Sequence, residues 1–491
     1  MRKILKKLLS AAVSLVLAGA SMTSGTVRAA SPDETYNYDI WSEAIPSQAG
    51  YVPDRAVSGK DLGVGSFDDP NDIFLAGDET FYIADTKNDR IVTADSKLSH
   101  SQGIYQTFTM PDGSETELSM PKGVYVSDYT GYIYIADSEN GRVLVARKDS
   151  TVVLEVKMPQ SELYTAPTFK PQKVIADKAG NIYVALGNIT TGSAMFSPKG
   201  EFMGFYGANR VQPTAEIIGS FIRRLFLTEE KRLRRTRSVP TGITGFDIDG
   251  DFIYTCTASS TQKTDTVKKL NAAGKNIFAE KNISFGDNRP MYDASKNILM
   301  EPAITDIDIS ADGCINCLDY TTGRVFQYDD ECGLLFIVGA KSDQLGGFTA
   351  PAAVESFGNC LYVVDSAKDT ITVFRETAFG AAVHKANSLY NAGYYEEALE
   401  PWYEVLRHDG NYRRANIGVA SALLRKGDYK GAMKYAKLAG SPDIYNKAFE
   451  GYRREFIRSH FTAIILTVTG ISAAAVILHR RKKRRTSRKE K

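Results

Sequence analysis

The residues best suited to chemistry stand at the starts of short strands that recur along the chain. Several of these strands open with proline, as in PNDIFLA, PKGVYVS and PQKVIAD. The residues that open the strands are Asp72, Lys122, Lys173, Thr241, Asp306 and Pro351. If the strands converge on one axis, the charged members line a ligand-binding mouth, where two cations beside two acids oppose a divalent metal. We expect Asp72, Lys122, Lys173 and Asp306 to bind a ligand there with no metal or other cofactor.

No familiar catalytic set stands out among the remaining residues. The five histidines avoid these strands, and we find no Ser-His-Asp set or nucleophile elbow. Five cysteines include one CxxC, Cys314 and Cys317, but no second CxxC or histidine pair follows to complete a zinc site. We therefore expect a non-enzymatic protein whose cysteines are mostly buried in strands, with one disulfide as the alternative.

One longer phrase accompanies these strands six times between residues 60 and 380. Three copies are TFYIADTKNDRIVTAD from Thr80, YIYIADSENGRVLVARKD from Tyr132 and CLYVVDSAKDTITVFRE from Cys360. Each copy reads as a strand, a polar turn and a second strand. Units of four short strands bury their faces only against neighbouring units, and radial closure removes most exposed edges. The repeat predicts a mainly β fold, a six-bladed β-propeller over residues 61–380.

The phrase Y-I-A-D-S-E-N-G-R-V resembles the NHL repeat, and the six copies resemble NHL and lactonase-like propellers. Copies three and four carry Leu186 and Thr257 in place of the aspartate, so spacing assigns them. The lead-in YNYDIWSEAIPSQAGYVPDRAV, the propeller and the tail are together similar to a family of bacterial surface-anchored NHL proteins. This resemblance implies an architecture but no activity, and its lactonase side makes a metal-dependent hydrolase the least favoured alternative.

Aspartates recur at one position of the repeat, and arginines follow three of them after five residues. The positions are Asp85 with Arg90, Asp137 with Arg142, Asp319 with Arg324, and Asp365 alone. We expect each aspartate to accept hydrogen bonds from turn amides and each arginine to pair with its aspartate across the hairpin. The NHL resemblance likewise implies a structural role for these positions.

A basic insertion occupies residues 213–240, where apolar residues recur at helical spacing. Its candidate docking residues are Arg223, Arg224, Lys231, Arg232, Arg234 and Arg235. The simpler expectation is a solvated helix that pairs with the acidic side of the propeller. The alternative is a docking helix for lipid headgroups, wall polymer or an acidic partner.

Residues 381–460 predict a small helical module followed by a capping helix. Small and aromatic residues recur after 34 positions in ANSLYNAGYYEEAL and ASALLRKGDYKGAM, including Ala386 with Ala420 and Gly393 with Gly427. This spacing resembles the tetratricopeptide (TPR) repeat. Two such repeats hold too little core to stand alone, so the stretch 442–460 is expected to cap them.

The two ends of the chain predict a membrane anchor. Residues 1–29 read as a signal peptide, with lysines and arginines before an apolar run. Residues 461–478 form an uncharged stretch long enough to span a bilayer, and the basic tail 479–491 predicts a cytoplasmic end. Residues 30–60 are expected to be an N-terminal extension that packs on the propeller. We expect a single-pass cell-membrane protein with an extracytoplasmic ectodomain.

The charge distribution limits the class of ligand. Lys and Arg total 60 and Asp and Glu total 58; the two ends hold 14 of the basic residues and one acid. The remaining 46 basic and 57 acidic residues leave a formal charge of −11, which argues against a nucleic-acid partner. The predicted function is ligand binding by the propeller, with a glycan, a peptide or a protein as ligand. A scaffold or accessory subunit of a membrane complex, such as a transporter, is the alternative.

The expected topology can be tested on intact cells. Protease added outside should digest the propeller and leave an epitope tag placed after residue 491 intact, because only the ectodomain is accessible. Immunoblotting of both fragments measures this outcome. Survival of the propeller without detergent, with digestion once the cells are lysed, would contradict the orientation.

Overall fold

The computed structural model describes residues 35–164, 166–187, 189, 192–207, 242–258, 266–281, 283–288, 291–293 and 298–487. The expected signal peptide, the basic insertion with all six of its candidate docking residues, and the last four residues of the tail lie outside this part of the chain. Thr241 lies outside it as well.

The described chain opens with three strands. They are β1 (Tyr36–Tyr38) and β2 (Ala44–Pro46), which form a hairpin, and β3 (Tyr51–Ser58). The strands of blade one are β4 (Pro70–Leu75), β5 (Thr80–Asp85), β6 (Arg90–Asp95) and β7 (Ser101–Tyr105). A hairpin of β8 (Thr107–Thr109) and β9 (Glu115–Glu117) leads to the next blade.

Blades two and three repeat the same antiparallel order. Blade two consists of β10 (Pro121–Val126), β11 (Ile133–Asp137), β12 (Arg142–Ala146) and β13 (Val152–Lys157). Blade three consists of β14 (Pro171–Ala176), β15 (Ile182–Leu186), β16 (Ser193–Phe196) and β17 (Phe202–Tyr206). In both of these blades the second strand is buried along its whole length because neighbouring blades cover both of its faces.

Blade four has three strands in the described residues, and blade five has four. The strands of blade four are β18 (Gly245–Asp249), β19 (Phe252–Cys256) and β20 (Val267–Leu270), followed by a hairpin of β21 (Met291–Asp293) and β22 (Ile298–Met300). The strands of blade five are β23 (Ile304–Ile309), β24 (Ile315–Asp319), β25 (Arg324–Tyr328) and β26 (Leu334–Val338). A short parallel pair follows, β27 (Ala340–Lys341) and β28 (Gly347–Phe348).

Blade six closes the ring by joining distant parts of the chain. Its first three strands are β29 (Pro351–Phe357), β30 (Cys360–Asp365) and β31 (Thr370–Glu376). The fourth is β3, which pairs antiparallel with β31 from Tyr51↔Glu376 to Ser58↔Thr370. This pairing confirms the six-bladed propeller and corrects the boundary at residue 61, since part of the expected extension completes the last blade. The repeat phrase does not cover β3, which is why local pattern did not place it there.

Five helices follow the propeller. They are α1 (Ala378–Asn391), α2 (Leu399–His408), α3 (Arg413–Lys426), α4 (Tyr429–Leu438) and α5 (Pro442–Ser487). Residues 34 positions apart occupy equivalent places in the first two helix pairs. Ala386 and Ala420 are both buried, and Gly393 and Gly427 follow the first helix of each pair with φ values of 86° and 82°.

The helical module shares one hydrophobic core with blades five and six. Phe336 and Phe374 of the propeller belong to the same buried cluster as Phe379 and Trp402 of the helices. The Arg414 guanidinium lies 2.6 Å from the Asp329 carboxylate, with both side chains buried. Two helix pairs alone hold little core, and the propeller supplies the rest of the packing surface.

Helix α5 is the one described helix that is long and apolar enough to cross a membrane. Its apolar window lies within Pro442–Arg481, with a mean hydropathy of 2.3 and no residue of the window buried. The expected capping stretch and the expected span are continuous in this helix.

Closure of the ring by β3 can be tested with two valines of that strand. Val57 is 2% exposed and Val52 is 43% exposed. We expect Val57→Ala to lower the free energy of unfolding by about 2 kcal/mol, because it removes buried methyl groups and leaves a cavity. Val52→Ala should change it by less than about 0.5 kcal/mol. Urea unfolding of the full chain in detergent, followed by circular dichroism, measures both; equal losses would contradict closure through β3.

Candidate ligand-binding site

Six residues, one from each first strand, surround the propeller axis at one level. In five blades a register shift in the first strand places the residue two positions after its first member opposite the second strand. With the corresponding residue of blade four, the ring is Asp72, Gly123, Lys173, Gly245, Asp306 and Ala353. Charged residues therefore alternate with small ones around the axis.

The small residues are required by the close approach of the strands. A Cβ atom on Gly123 would lie 2.7 Å from the carbonyl oxygen of Gln172 and 2.9 Å from the Cα of Lys173. A Cβ atom on Gly245 would lie 2.7 Å from Oδ1 of Asp306. Side chains at these places would displace the charged residues of blades three and five.

Lys173 bridges the two aspartates and closes the channel with a buried ion triad. Its Nζ contacts Oδ1 of Asp72 and lies 3.0 Å from Oδ1 of Asp306. The second oxygen of Asp72 accepts a hydrogen bond from Val124 N at 2.9 Å, and that of Asp306 from Val354 N at 3.0 Å. Each carboxylate thus also satisfies a free amide at the inner edge of the next blade.

The electrostatics of the triad keep the lysine charged. Burial alone would lower the pKa of Lys173, but the nearby carboxylates of Asp306 and Asp72 outweigh burial and raise it. Burial raises the pKa of the Asp72 carboxyl to about 6, against the opposing effect of Lys173. The two carboxyl groups compensate the positive charge of Lys173, so the triad offers no net positive charge to an acidic ligand and forms the floor of the space beside it.

The structure brings three of the four predicted mouth residues together at the axis, and the fourth lies outside this triad. Asp72, Lys173 and Asp306 meet at the axis, whereas Lys122 lies one position before the ring residue Gly123. Lys122 is half-buried and close enough to Glu139 to lower the pKa of that carboxyl, although Lys170 lowers it more. Pro351 likewise precedes the ring position, which Ala353 occupies. A register shift in both of these first strands explains the misplacement, because it moves the axial residue to the second position after the proline. The sequence pattern alone does not reveal this shift.

A second level of the channel carries carboxylates on one side only. Asp247, Asp308 and Glu355 each lie two residues beyond a ring position, in blades four to six. Phe74, Tyr125 and Ile175 occupy the corresponding positions in blades one to three. A cavity of about 30 Å³ separates this level from the triad, with Asp247 and Glu355 among its lining residues. Such a volume holds one or two water molecules.

Burial shifts the protonation of these carboxyls. It is the largest cause of the raised pKa of Asp247, Asp308 and Glu355, and repulsion between neighbouring carboxylates adds to it. The pKa of Asp308 rises from 3.8 to about 6, and Asn316 Nδ2 donates a hydrogen bond of 2.7 Å to its Oδ2. The raised pKa values favour the protonated form of the carboxyls in this half of the channel.

On the other side of the triad the channel widens into a mouth pocket of about 460 Å³. Its hydrogen-bonding wall residues are Asn71, Gln172, Thr244, Thr305, Tyr320 and Ser366. Apolar residues such as Leu186, Ile243 and Pro351 complete the wall, and Lys173 lies at the floor. Among the described lining residues Lys173 alone is ionised, and its charge is compensated by the triad. The pocket can accordingly hold an uncharged polar ligand of small-molecule size.

The sequence pattern did not indicate most of these wall residues. Asn71 and Gln172 stand one position after the opening proline, and Tyr320 directly follows the repeat aspartate Asp319. The positions recur in the repeat: the wall residues that directly precede the ring residue of their blade are Asn71, Gln172, Thr244 and Thr305. Lys122 holds the same position in blade two and is not among the residues that line the pocket. The four wall residues carry uncharged side chains, which a search for charged residues passes over. Asp247, Asp308 and Glu355 were also missed, since they lie within the first strands rather than at their starts.

The repeat aspartates are buried and bind turn backbone. Asp85 accepts hydrogen bonds from Asp68 N at 2.8 Å and from Arg90 Nε at 2.7 Å. Equivalent contacts join Asp137 to Ser119 N at 2.8 Å and to Arg142 Nε at 2.7 Å. Asp365 accepts from Thr349 N at 2.7 Å and from Ala350 N at 3.0 Å.

The pairing expected of Asp319 with Arg324 is wrong. Asp319 accepts hydrogen bonds from Ala303 N at 2.7 Å and from the Thr322 hydroxyl at 2.6 Å. Arg324 lies 3.7 Å from Asp287 and stacks on the ring of Tyr36, 5.2 Å from its centroid. Contacts with Asp287 and with Tyr36 of the N-terminal hairpin thus replace the expected pairing of Arg324 with Asp319.

The chain matches no protein-family model and no curated protein sequence. Among solved structures it is similar to hydrazine synthase of Kuenenia stuttgartiensis, at 11% identity and a TM-score of 0.39 over 64% of this chain and 96% of that one. It is similar to virginiamycin B lyase from Staphylococcus aureus, at 11% identity and a TM-score of 0.37 over 64% and 97%. The WD40 β-propeller domain of Doa1 matches at 9% identity and a TM-score of 0.37 over 68% and 99%. Values this low carry no conclusion about activity or ligand.

The raised pKa of Asp308 predicts how the free energy of unfolding changes with pH. A carboxyl whose pKa is raised in the folded state binds its proton more tightly there, so its contribution to stability is present at low pH and lost as the pH rises from about 4 through 6. We expect Asp308→Asn to raise the free energy of unfolding by about 1 to 3 kcal/mol above pH 6 and to have little effect below pH 4.

Urea unfolding of the full chain between pH 4 and pH 8 measures this difference. Asp61→Asn is the control, because hydrogen bonds from Ser58 lower rather than raise the pKa of that exposed carboxyl. A difference between wild type and Asp308→Asn that is independent of pH would refute the assignment.

Proposed function

We propose that this chain is a non-enzymatic, membrane-anchored binding protein whose propeller mouth recognises an uncharged polar ligand. The observation that carries the proposal is the pocket of about 460 Å³ with hydrogen-bonding walls and a charge-compensated floor. Such walls favour ligands that offer many hydroxyl or amide groups and no formal charge.

A neutral glycan fits this chemistry best. Amide side chains such as Asn71 and Gln172 donate and accept hydrogen bonds, which matches adjacent sugar hydroxyls. Tyr320 is 45% exposed at the pocket, and Lys341 Nζ lies over its ring at 4.3 Å from the centroid. The ring face that Lys341 does not cover would suit the apolar side of a sugar. A peptide or protein segment that presents backbone amides is the related possibility within the same proposal.

A second proposal is that the chain is a scaffold or accessory subunit of a membrane complex. Helix α5 exposes Tyr445, Phe449 and Phe456 between the helical module and the apolar window, at 38%, 46% and 46%. These residues recur at helical spacing along one side and would suit a partner helix next to the bilayer. This surface and the mouth are separate, so both activities are compatible in one chain.

The same proposal covers the orientation of the chain in the membrane and the classes of its repeats. We infer that α5 anchors the chain in the cell membrane, with the propeller outside and the basic tail in the cytoplasm. The basic tail that directly follows the apolar window supports this orientation, because Lys and Arg beside a membrane span favour the cytoplasmic side. We also infer that the blades are NHL-type repeats and that the two helix pairs are TPR-like, on the basis of the phrase and the 34-residue spacing.

The binding proposal is tested by screening the full chain in detergent against an array of neutral oligosaccharides. We expect a hit whose affinity falls at least about tenfold in Gln172→Ala and in Tyr320→Ala, because each substitution removes a polar side chain that lines the pocket. Tyr129→Ala is the matched control. That tyrosine is 64% exposed in the turn between β10 and β11, away from the mouth, and its loss should change the affinity less than about twofold.

Two results would contradict the proposal. One is binding that survives both wall substitutions. The other is binding that disappears with a chelator, since the mouth site is assigned no metal.

A further inference from the structure

Blade five departs from the repeat at one position of its second strand. This position pairs with the second level of the channel on one side and with the third strand on the other. The other five blades carry a tyrosine there, namely Tyr82, Tyr134, Tyr183, Tyr254 and Tyr362. Blade five carries Asn316, directly opposite Asp308 of β23 and Gln327 of β25. These three residues form a polar row that runs from the channel outward through the blade.

The polar row is buried and hydrogen-bonded from end to end. Asn316 Nδ2 donates to Oδ2 of Asp308 at 2.7 Å, and Gln327 Nε2 donates to Oδ1 of Asn316 at 2.9 Å. A carboxylate can only accept hydrogen bonds, so Asp308 turns the NH2 group of each amide toward the channel. Protonation of Asp308 on its other oxygen leaves this contact in place. The side-chain oxygen of Gln327 therefore faces outward, toward α1.

His384 of α1 meets the outer end of the polar row. Its Nε2 lies 2.7 Å from Oε1 of Gln327, and its Nδ1 contacts the carboxylate of Glu376. Both partners are acceptors, so both ring nitrogens must carry a proton for both hydrogen bonds to form. A neutral imidazole has one N–H group and loses one of the two bonds. The ring packs edge-on against Phe336 at 5.6 Å between centroids, and its side chain is only 15% exposed, so little water can replace the lost partner.

The other titratable groups that face the ring come from three parts of the propeller. A carboxylate oxygen of Asp312 and the sulfur of Cys314 each lie within 4.8 Å of a ring nitrogen of His384. The ring of Tyr51 in β3 lies 5.9 Å from the imidazole. Burial raises the pKa of the Cys314 thiol and of the Tyr51 hydroxyl, so both groups stay neutral. The charged groups of this set are the carboxylates of Glu376 and Asp312, whose sign is opposite to that of an imidazolium.

We propose that the polar row and His384 form a proton-dependent clamp between the propeller and the helical module. The clamp is closed while the imidazole carries two protons, because both hydrogen bonds to the ring then form. Loss of one proton breaks one of these bonds and leaves a buried acceptor without a donor, which costs free energy. The docked state thus binds the proton more tightly than the undocked state. Docking of α1 on blade five is therefore strongest in acidic solution and weakens as the pH rises through the range in which histidines titrate.

The clamp is tested by hydrogen–deuterium exchange on the full chain in detergent, read on peptides from α1. Wild type and His384→Gln are compared at the same pH, so the intrinsic pH dependence of exchange cancels in their ratio. At about pH 5.5 we expect α1 amides to exchange at least about tenfold faster in His384→Gln, because glutamine cannot form the charge-assisted bond. At about pH 8.5 the ratio should fall below about twofold, because the neutral imidazole has also lost one bond.

A second variant removes the acceptor and leaves the histidine in place. Gln327→Met introduces the residue that blade three carries at the equivalent position, Met195, so the blade can accommodate it. Its α1 exchange should also exceed that of wild type at about pH 5.5 and approach it at about pH 8.5. The matched control is His408→Gln, because that histidine is exposed at the end of α2 in the same module. Its exchange ratio should stay near one at both pH values.

The proposal is overturned if the exchange ratio of His384→Gln or of Gln327→Met is the same at both pH values, since a loss of packing alone does not depend on a proton. A larger ratio at the higher pH would overturn it as well. Neither result bears on ligand recognition at the mouth.

Discussion

Six backbone strands converge on one axis, and the space between them limits which side chains can face it. The protein meets this constraint with three charged residues that alternate with two glycines and an alanine. A buried charge must be paired, so Lys173 is held between Asp72 and Asp306. The same carboxylates bond the inner edges of the following blades. The triad thus divides the channel into a neutral pocket on one side and an acidic cavity on the other.

Much of the fold could be predicted because the repeat phrase is strong and its period is regular. The blade count, the structural role of Asp85, Asp137 and Asp365, and the helical module all follow from residue types and spacing. The residues that face the axis could not be predicted, because a register shift in the first strand of five blades moves the inward-facing residue by one place. Arg324 shows a second limit, because a residue from outside the propeller ring, Tyr36, competes for it.

Contacts between modules were the least predictable part. His384 of α1 contacts Gln327 of blade five at 2.7 Å although the two are distant in sequence, and no spacing rule joins a helix to a strand of the propeller. Similarly, the 34-residue spacing indicated paired helices but not that Phe379 and Trp402 would enter a core with Phe336 of blade five. Interfaces of this kind depend on how two finished surfaces fit, which local pattern does not encode.

The pairing of β3 with β31 also imposes an order on biosynthesis. β3 is made before any blade is complete, and its partner strand is the last of the propeller to be made. Until then β3 has unpaired backbone groups and an apolar face that nothing covers, and the sixth blade lacks its outer edge. Blades one to five can form progressively, but the ring locks only after the final β segment is synthesised. A nascent chain stalled before that point remains an open arc, recognisable to chaperones and proteases by its uncapped end.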